Sequence, residues 1–168
     1  MKKVHRWIRL FRHWATTHRY QRTLFPAAAL DRLEKSIQSV ESSHAGEIRV
    51  VIECALDTRS VLMGKTPHAR AVELFGQCGI WDTEANNGVL IYLLLADRRV
   101  EILADRGFGE LVTHSEWRVV CKEMEMSFRE GQFAEGVERG IKAAGLLIAR
   151  HFPVKGNRNE LPDRPALI

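Results

Sequence analysis

The run Gly88-Val89-Leu90-Ile91-Tyr92-Leu93-Leu94-Leu95 carries no charge, and its only side-chain polar atom is the tyrosine hydroxyl. It falls far short of the ~20 apolar residues that a membrane-spanning helix needs. Its β-branched and aromatic content fits a strand buried on both faces. The polar turn Ala96-Asp97-Arg98-Arg99 leads into Val100-Glu101-Ile102-Leu103-Ala104-Asp105, which reads as the second arm of a hairpin.

Other elements fall into place around this strand. Gly46 precedes Glu47 to Leu56, where Ile48, Val50, Val51, Ile52 and Cys54 have the near-continuous apolar character of another inner strand. Asp57 to Lys65 reads as a polar loop. Thr66-Pro67 supplies an N-cap and a proline at the first helical position; Ala71, Leu74, Phe75 and Cys78 line one face of the helix, and Gly79 ends it. Strand, helix, strand makes a βαβ unit, so the two strands are expected to be parallel neighbours. Before them, Pro26 opens a helix striped by Leu30, Leu33, Ile37 and Val40. After the hairpin, Thr113-His114-Ser115-Glu116 is a capping box for a helix burying Trp117, Val120, Cys121, Met124 and Phe128. A last helix runs from Phe133 to Arg150, with Gly136 and Gly140 marking a close crossing. Residues 154–168, rich in proline and charge, read as a disordered tail. The domain boundaries that follow are an arm over 1–22, an α/β domain over 23–153, and the tail.

Charge separates the arm from the body. Lys2, Lys3, Arg6, Arg9, Arg12, Arg19 and Arg22 lie in the arm without an acid; against +4 for the whole chain this leaves the rest at −3. A mildly acidic body makes nucleic acid an unlikely partner. Val4, Trp7, Leu10, Phe11 and Trp14 recur at spacings of three and four between the arginines, the pattern of a cationic amphipathic helix. Its apolar stripe, with Trp7, Leu10, Phe11 and Trp14 as contact residues, suits the domain itself, another copy or protein partner, or an anionic membrane surface. Cys54, Cys78 and Cys121 form no Cys-x-x-Cys pair and sit in apolar patterns, so reduced buried thiols are expected. With arginine recurring through the first twenty residues there is no secretory core segment, and the expectation is a cytoplasmic protein, either free or peripheral to the membrane's inner face.

Gly46-Glu47-Ile48-Arg49-Val50-Val51, Arg70-Ala71-x-x-Leu74-Phe75, Asn87-Gly88-Val89-Leu90-Ile91-Tyr92, Asp97-Arg98-Arg99-Val100-Glu101-Ile102 and Asp105-Arg106-Gly107 together resemble the TPM domain family. Phe128-x-x-Gly131-x-Phe133-x-x-Gly136 and His151-Phe152-Pro153 extend the likeness over roughly residues 25–153. It is closest to the bacterial subgroup that lacks a C-terminal membrane segment. The resemblance implies a three-layer α/β/α sandwich around a small mixed β-sheet, a βαββαα core preceded by helices. It also implies a possible acid phosphatase activity and a divalent cation.

If the two inner strands are parallel and the hairpin antiparallel, Glu47, Asn86, Asn87 and Asp105 gather at one sheet edge beside the Arg106-Gly107 loop. Oxygen donors of this kind suit Ca²⁺ or Mg²⁺. Related domains commonly carry aspartate before the Asn-Gly-Val motif; here Asn86 takes that place, which removes a full charge from the ligand set. Arg106 and Arg70 are candidate phosphate-binding residues, with His114 a further candidate. The histidines show no zinc spacing, and no Walker or dinucleotide glycine motif is present. The weakened ligand set favours a non-catalytic binding or scaffold module. A metal-assisted phosphatase and a membrane-docking or self-assembling module are the alternatives.

Overall fold

The computed structural model describes residues 2–109, 111–153 and 159–168, the side chains of 2–5 excepted. Strands β1 (Glu47–Glu53), β2 (Gly88–Leu94), β3 (Arg99–Ala104) and β4 (Ala166–Leu167) make one mixed sheet in the order β3-β2-β1-β4. β1 and β2 run parallel with Glu47 opposite Gly88, and β3 returns antiparallel to β2. Every residue of β2 is buried, which is why its sequence shows no alternation. Gly88 is obligatory at its start: a Cβ there would lie 2.2 Å from the Ile80 carbonyl oxygen.

Helices α1 (Lys2–Ala15), α2 (His18–Leu24), α3 (Ala27–Glu41), α4 (Thr58–Leu62), α5 (Pro67–Gln77), α6 (His114–Arg129) and α7 (Phe133–His151) surround the sheet. Ile48, Val50, Ile52, Val89, Ile91 and Leu93 face α3, α6 and α7. Val51, Leu90, Tyr92 and Leu94 face Leu10 of α1, Val61 of α4, and Ala71 and Leu74 of α5. The fold is therefore the expected three-layer α/β/α sandwich. Each large apolar side chain removed from water contributes roughly 1.5–3 kcal/mol, which makes β2 the most stabilising strand.

The capping signals are realised: Thr66 accepts from the Ala69 N–H, and Thr113 and Glu116 close a reciprocal capping box. Gly140 packs so close to Met124 that a Cβ would fall 2.2 Å from its sulfur, which accounts for glycine inside α7. Three expectations need correction. The arm is two helices, because Thr17 adopts extended backbone and caps α2 through the Tyr20 N–H. Pro26 is the N-cap of α3 rather than its first residue. The loop after β1 contains α4, started by the Asp57 side chain accepting from the Ser60 N–H.

The fourth correction is the tail. Residues 154–158 lie outside the described residues, but 159–168 are fixed along β1. Arg49 donates to the carbonyls of Pro162 and Arg164, each at 2.7 Å, and Leu161 is buried. Ile168 exchanges backbone bonds with Ile52 and Cys54, and the buried Gln21 amide donates to the Ile52 and Ile168 carbonyls. Arg164 also pairs with Asp31 and Glu34 of α3. Composition suggested disorder because the ordering groups are scattered through distant parts of the chain.

Candidate functional site

The edge at the start of β1 and β2 is built by a tight turn. The Thr83 hydroxyl accepts from the Asn87 N–H and the Thr83 carbonyl from the Asn86 N–H. This leaves Asn86 at φ 53, a left-handed conformation that asparagine tolerates better than most residues. Gly107 donates its N–H to the Asn86 carbonyl at 2.8 Å, and a Cβ on Gly107 would collide with that same oxygen. The two loops are thus bound face to face, and Asn86, Asn87, Asp105 and Arg106 come together as expected.

Their side chains are largely engaged with one another. Arg106 Nε donates to Asn86 Oδ1 at 2.7 Å, and the Arg106 N–H donates to Asp105 Oδ1 at 2.7 Å. The buried Asn87 amide donates to the Ala45 carbonyl. Two buried oxygens remain without a hydrogen-bond partner among the described residues, Asn87 Oδ1 and Asp105 Oδ2. Glu47 begins β1 beside them, but its carboxylate turns to the tail and accepts from the N–H groups of Glu160 and Leu161, both at 3.1 Å. Glu110, a possible partner of Arg106, lies outside the described residues. No group of three or more His, Cys, Asp or Glu side chains among the described residues could hold a metal ion. For a divalent cation, Asp105 and Asn87 offer fitting oxygens; Glu47 and Asn86 do not, being held by the tail and by Arg106.

Arg70 sits at the opposite end of β1. It forms a fork with both oxygens of Glu53, at 3.0 Å to each, and a further bond to Glu73. The Tyr92 hydroxyl also donates to Glu53, at 2.6 Å. Burial, with Glu53 adding its hydrogen bond and charge, pushes the phenol far above its ordinary value, so it stays protonated. Arg70 is therefore a strand-end partner, remote from Arg106 in the register. His114, at the start of α6, lines a cavity along β3.

The contact residues of the arm divide. Leu10 is buried against the body, so this part of the stripe packs on the domain itself, and His13 is buried beside it. The Leu56 N–H donates to His13 Nδ1 at 3.0 Å, so Nε2 carries the proton that faces Asp97 Oδ1 at 3.2 Å. Arg9 adds a bidentate bond to the same carboxylate, at 2.8 and 3.0 Å. Burial raises the Asp97 pKa, but the His13 and Arg9 hydrogen bonds outweigh it, and the carboxyl sits at about 2. With α1 held this way, Trp7, Phe11 and Trp14 stand 65%, 69% and 63% exposed. Ile8 on the same helix is exposed too, as are Leu62 and Met63 at the end of α4, whose Thr58 accepts from the Trp14 indole N–H at 2.9 Å. Ile8 was legible, since it stands three residues before Phe11; Leu62 and Met63 were hidden by reading α4 as loop.

A family model described as the TPM domain matches residues 19–146. The BA42 protein from the psychrophilic bacterium Bizionia argentinensis, solved by NMR, is similar at 28% identity with a TM-score of 0.74, over 84% of this chain and 94% of that one. The N-terminal domain of a protein from P. gingivalis shares the fold at 24% identity and a TM-score of 0.62, over 79% and 83% of the two chains. No curated protein matches.

Proposed function

Taking as premise that the chain belongs to the TPM domain family, we propose that it is a binding module that docks on an anionic membrane surface through the aromatic face of α1. The observation that carries this reading is the exposure of Trp7, Ile8, Phe11 and Trp14 on a helix clamped to the body by Arg9, His13 and Asp97. Arg6 and Arg12 on the same helix are exposed, as are Arg19 and Arg22 of α2 and Arg59 of α4. Each basic side chain near an anionic surface adds about 1 kcal/mol, and the indole rings suit the headgroup level. Two copies meeting through this face would bring the same positive charges together, which disfavours self-association there. No helix of the described residues is long and apolar enough to cross a membrane. The full chain should sediment with vesicles containing phosphatidylserine and much less with phosphatidylcholine vesicles. The triple variant Trp7→Ala/Phe11→Ala/Trp14→Ala should lose that binding. Equal sedimentation with both vesicle types, or an unaffected triple variant, would rule the membrane reading out.

The two partnerless oxygens favour a second reading, a weak divalent-cation site held by Asp105 and Asn87. A ligand that binds only the folded state raises Tm by mass action, about 2.7 kcal/mol of stabilisation at a hundredfold excess over Kd. CaCl₂ or MgCl₂ in the millimolar range should then raise Tm in the native protein and leave Asp105→Asn unchanged. A Tm insensitive to both salts would remove this site.

A further inference from the structure

β3 is a terminal strand of the sheet, with no strand paired on its outer side among the described residues. Asp105 donates to the Gly88 carbonyl, so the antiparallel register turns the N–H and C=O groups of Val100, Ile102 and Ala104 away from β2. Of these groups, the Ile102 N–H bonds to the sulfur of Cys121 on α6, and no partner is seen for the Val100 and Ala104 N–H groups among the described residues. Two adjoining cavities, about 600 and 270 Å³, run along this edge and share Ile102, His114 and Trp117. One wall is α6 and the other is the start of α5 at Pro67 and His68. Glu125 bonds Arg99 at one end of β3 while Trp117 lines the cavity beside Ile102, so α6 runs antiparallel along the whole strand. Six strand residues and the facing turns of α6 both span about 17 Å, enough to seat an extended segment.

We propose that this groove receives an extended acidic segment of a partner protein, which adds to the sheet edge as a further strand. The charges of the walls select its chemistry. Arg99 is paired with Glu125, and His68 with Glu101. Arg118 and Lys122 are exposed and enter no ion pair among the described residues. Standing four apart on one helix, they lie about 6 Å from each other. That matches the roughly 6.7 Å between alternate residues of a strand. Acidic side chains at every second position of the incoming segment therefore meet Arg118 and Lys122, while the intervening ones turn toward Pro67 and His68. The same cations oppose a second copy, since pairing two β3 edges would bring like charges together.

The test uses the full chain and dye-labelled peptides of about eight residues, close to the usual strand length. One alternates glutamate with valine, one alternates lysine with valine, and a third is the glutamate peptide N-methylated at alternate backbone nitrogens. Fluorescence anisotropy should show saturable binding of the first, with the other two weaker by about tenfold or more. The variant R118E/K122E changes only exposed side chains and should reverse the preference between the charged peptides. Hydrogen exchange at the Val100 and Ala104 amides should slow when the glutamate peptide binds. Equal affinity for all three peptides, or unaltered exchange at those amides, overturns the proposal. So does a dimer in sedimentation whose formation protects Val100 and Ala104, because the edge would then belong to a second copy.

Discussion

Glu41 closes α3 with an oxygen 2.7 Å from the Ile48 N–H, in the company of Glu47 and Asp163. Burial pushes its carboxyl up; the Ile48 donor pulls it down, and the neighbouring carboxylates push the same way as burial, leaving it at about 8 instead of 4.5. The folded protein thus keeps a proton that the unfolded chain gives up near 4.5, so this residue makes stability fall as pH rises from 4.5 toward 8. Glu41→Gln keeps an oxygen for Ile48 and removes the titration. Its Tm is expected to drop less than that of the native protein across this interval and to exceed it at pH 8.5 and above. Parallel Tm profiles for the two proteins would contradict the assignment. Asn86 is equally local in its causes. The missing charge was visible in the sequence, but the reason for an asparagine was not: a left-handed backbone and a bond to Arg106 depend on a loop twenty residues away.

At the scale of elements, α1 is an appendage made part of the domain by polar contacts. Its inward side is Leu10, His13 and the Arg9 fork on Asp97, which itself sits in the β2–β3 turn. Removing one partner of a buried, hydrogen-bonded charge pair costs about 3 kcal/mol, largely through the charge left behind. Asp97→Ala should lower stability by about that much in chemical denaturation, and the amides of α1 should exchange faster. In the native protein the depressed Asp97 pKa makes this contribution complete above pH 4, and it is lost as pH falls from 3.8 toward about 2. A variant with unchanged exchange in α1 would show that Leu10 and its apolar neighbours hold the helix unaided. Elements with strong local signals were legible: β1 and β2 from their apolar runs, α5 and α6 from their caps. α4 and β4 were not, being too short to show a period and dependent on Asp57 in one case and on Arg49 and Gln21 in the other.

At the scale of the whole molecule, the sandwich and its strand pairing could be read from the sequence because each depends on where apolar side chains must go. The candidate site was only half legible. Strand direction correctly gathers Asn86, Asn87, Asp105 and Arg106, but no rule of spacing shows that Glu47 would turn to the tail or that Arg70 would close on Glu53. The two borders of the sheet also differ. Along β1 the chain's own residues 160–168 occupy the border through Glu47, Arg49, Ile52 and Cys54; along β3 the backbone of Val100 and Ala104 faces outward. A sheet open on both sides can grow without limit, each added strand presenting a fresh acceptor to the next. Here one border ends on β4, a strand of only two residues from the chain's own tail, which leaves little edge for a further strand to join. With the longer β3 edge on the other side, the molecule is suited to hold one guest at one-to-one stoichiometry rather than to serve as the repeating link of a fibre.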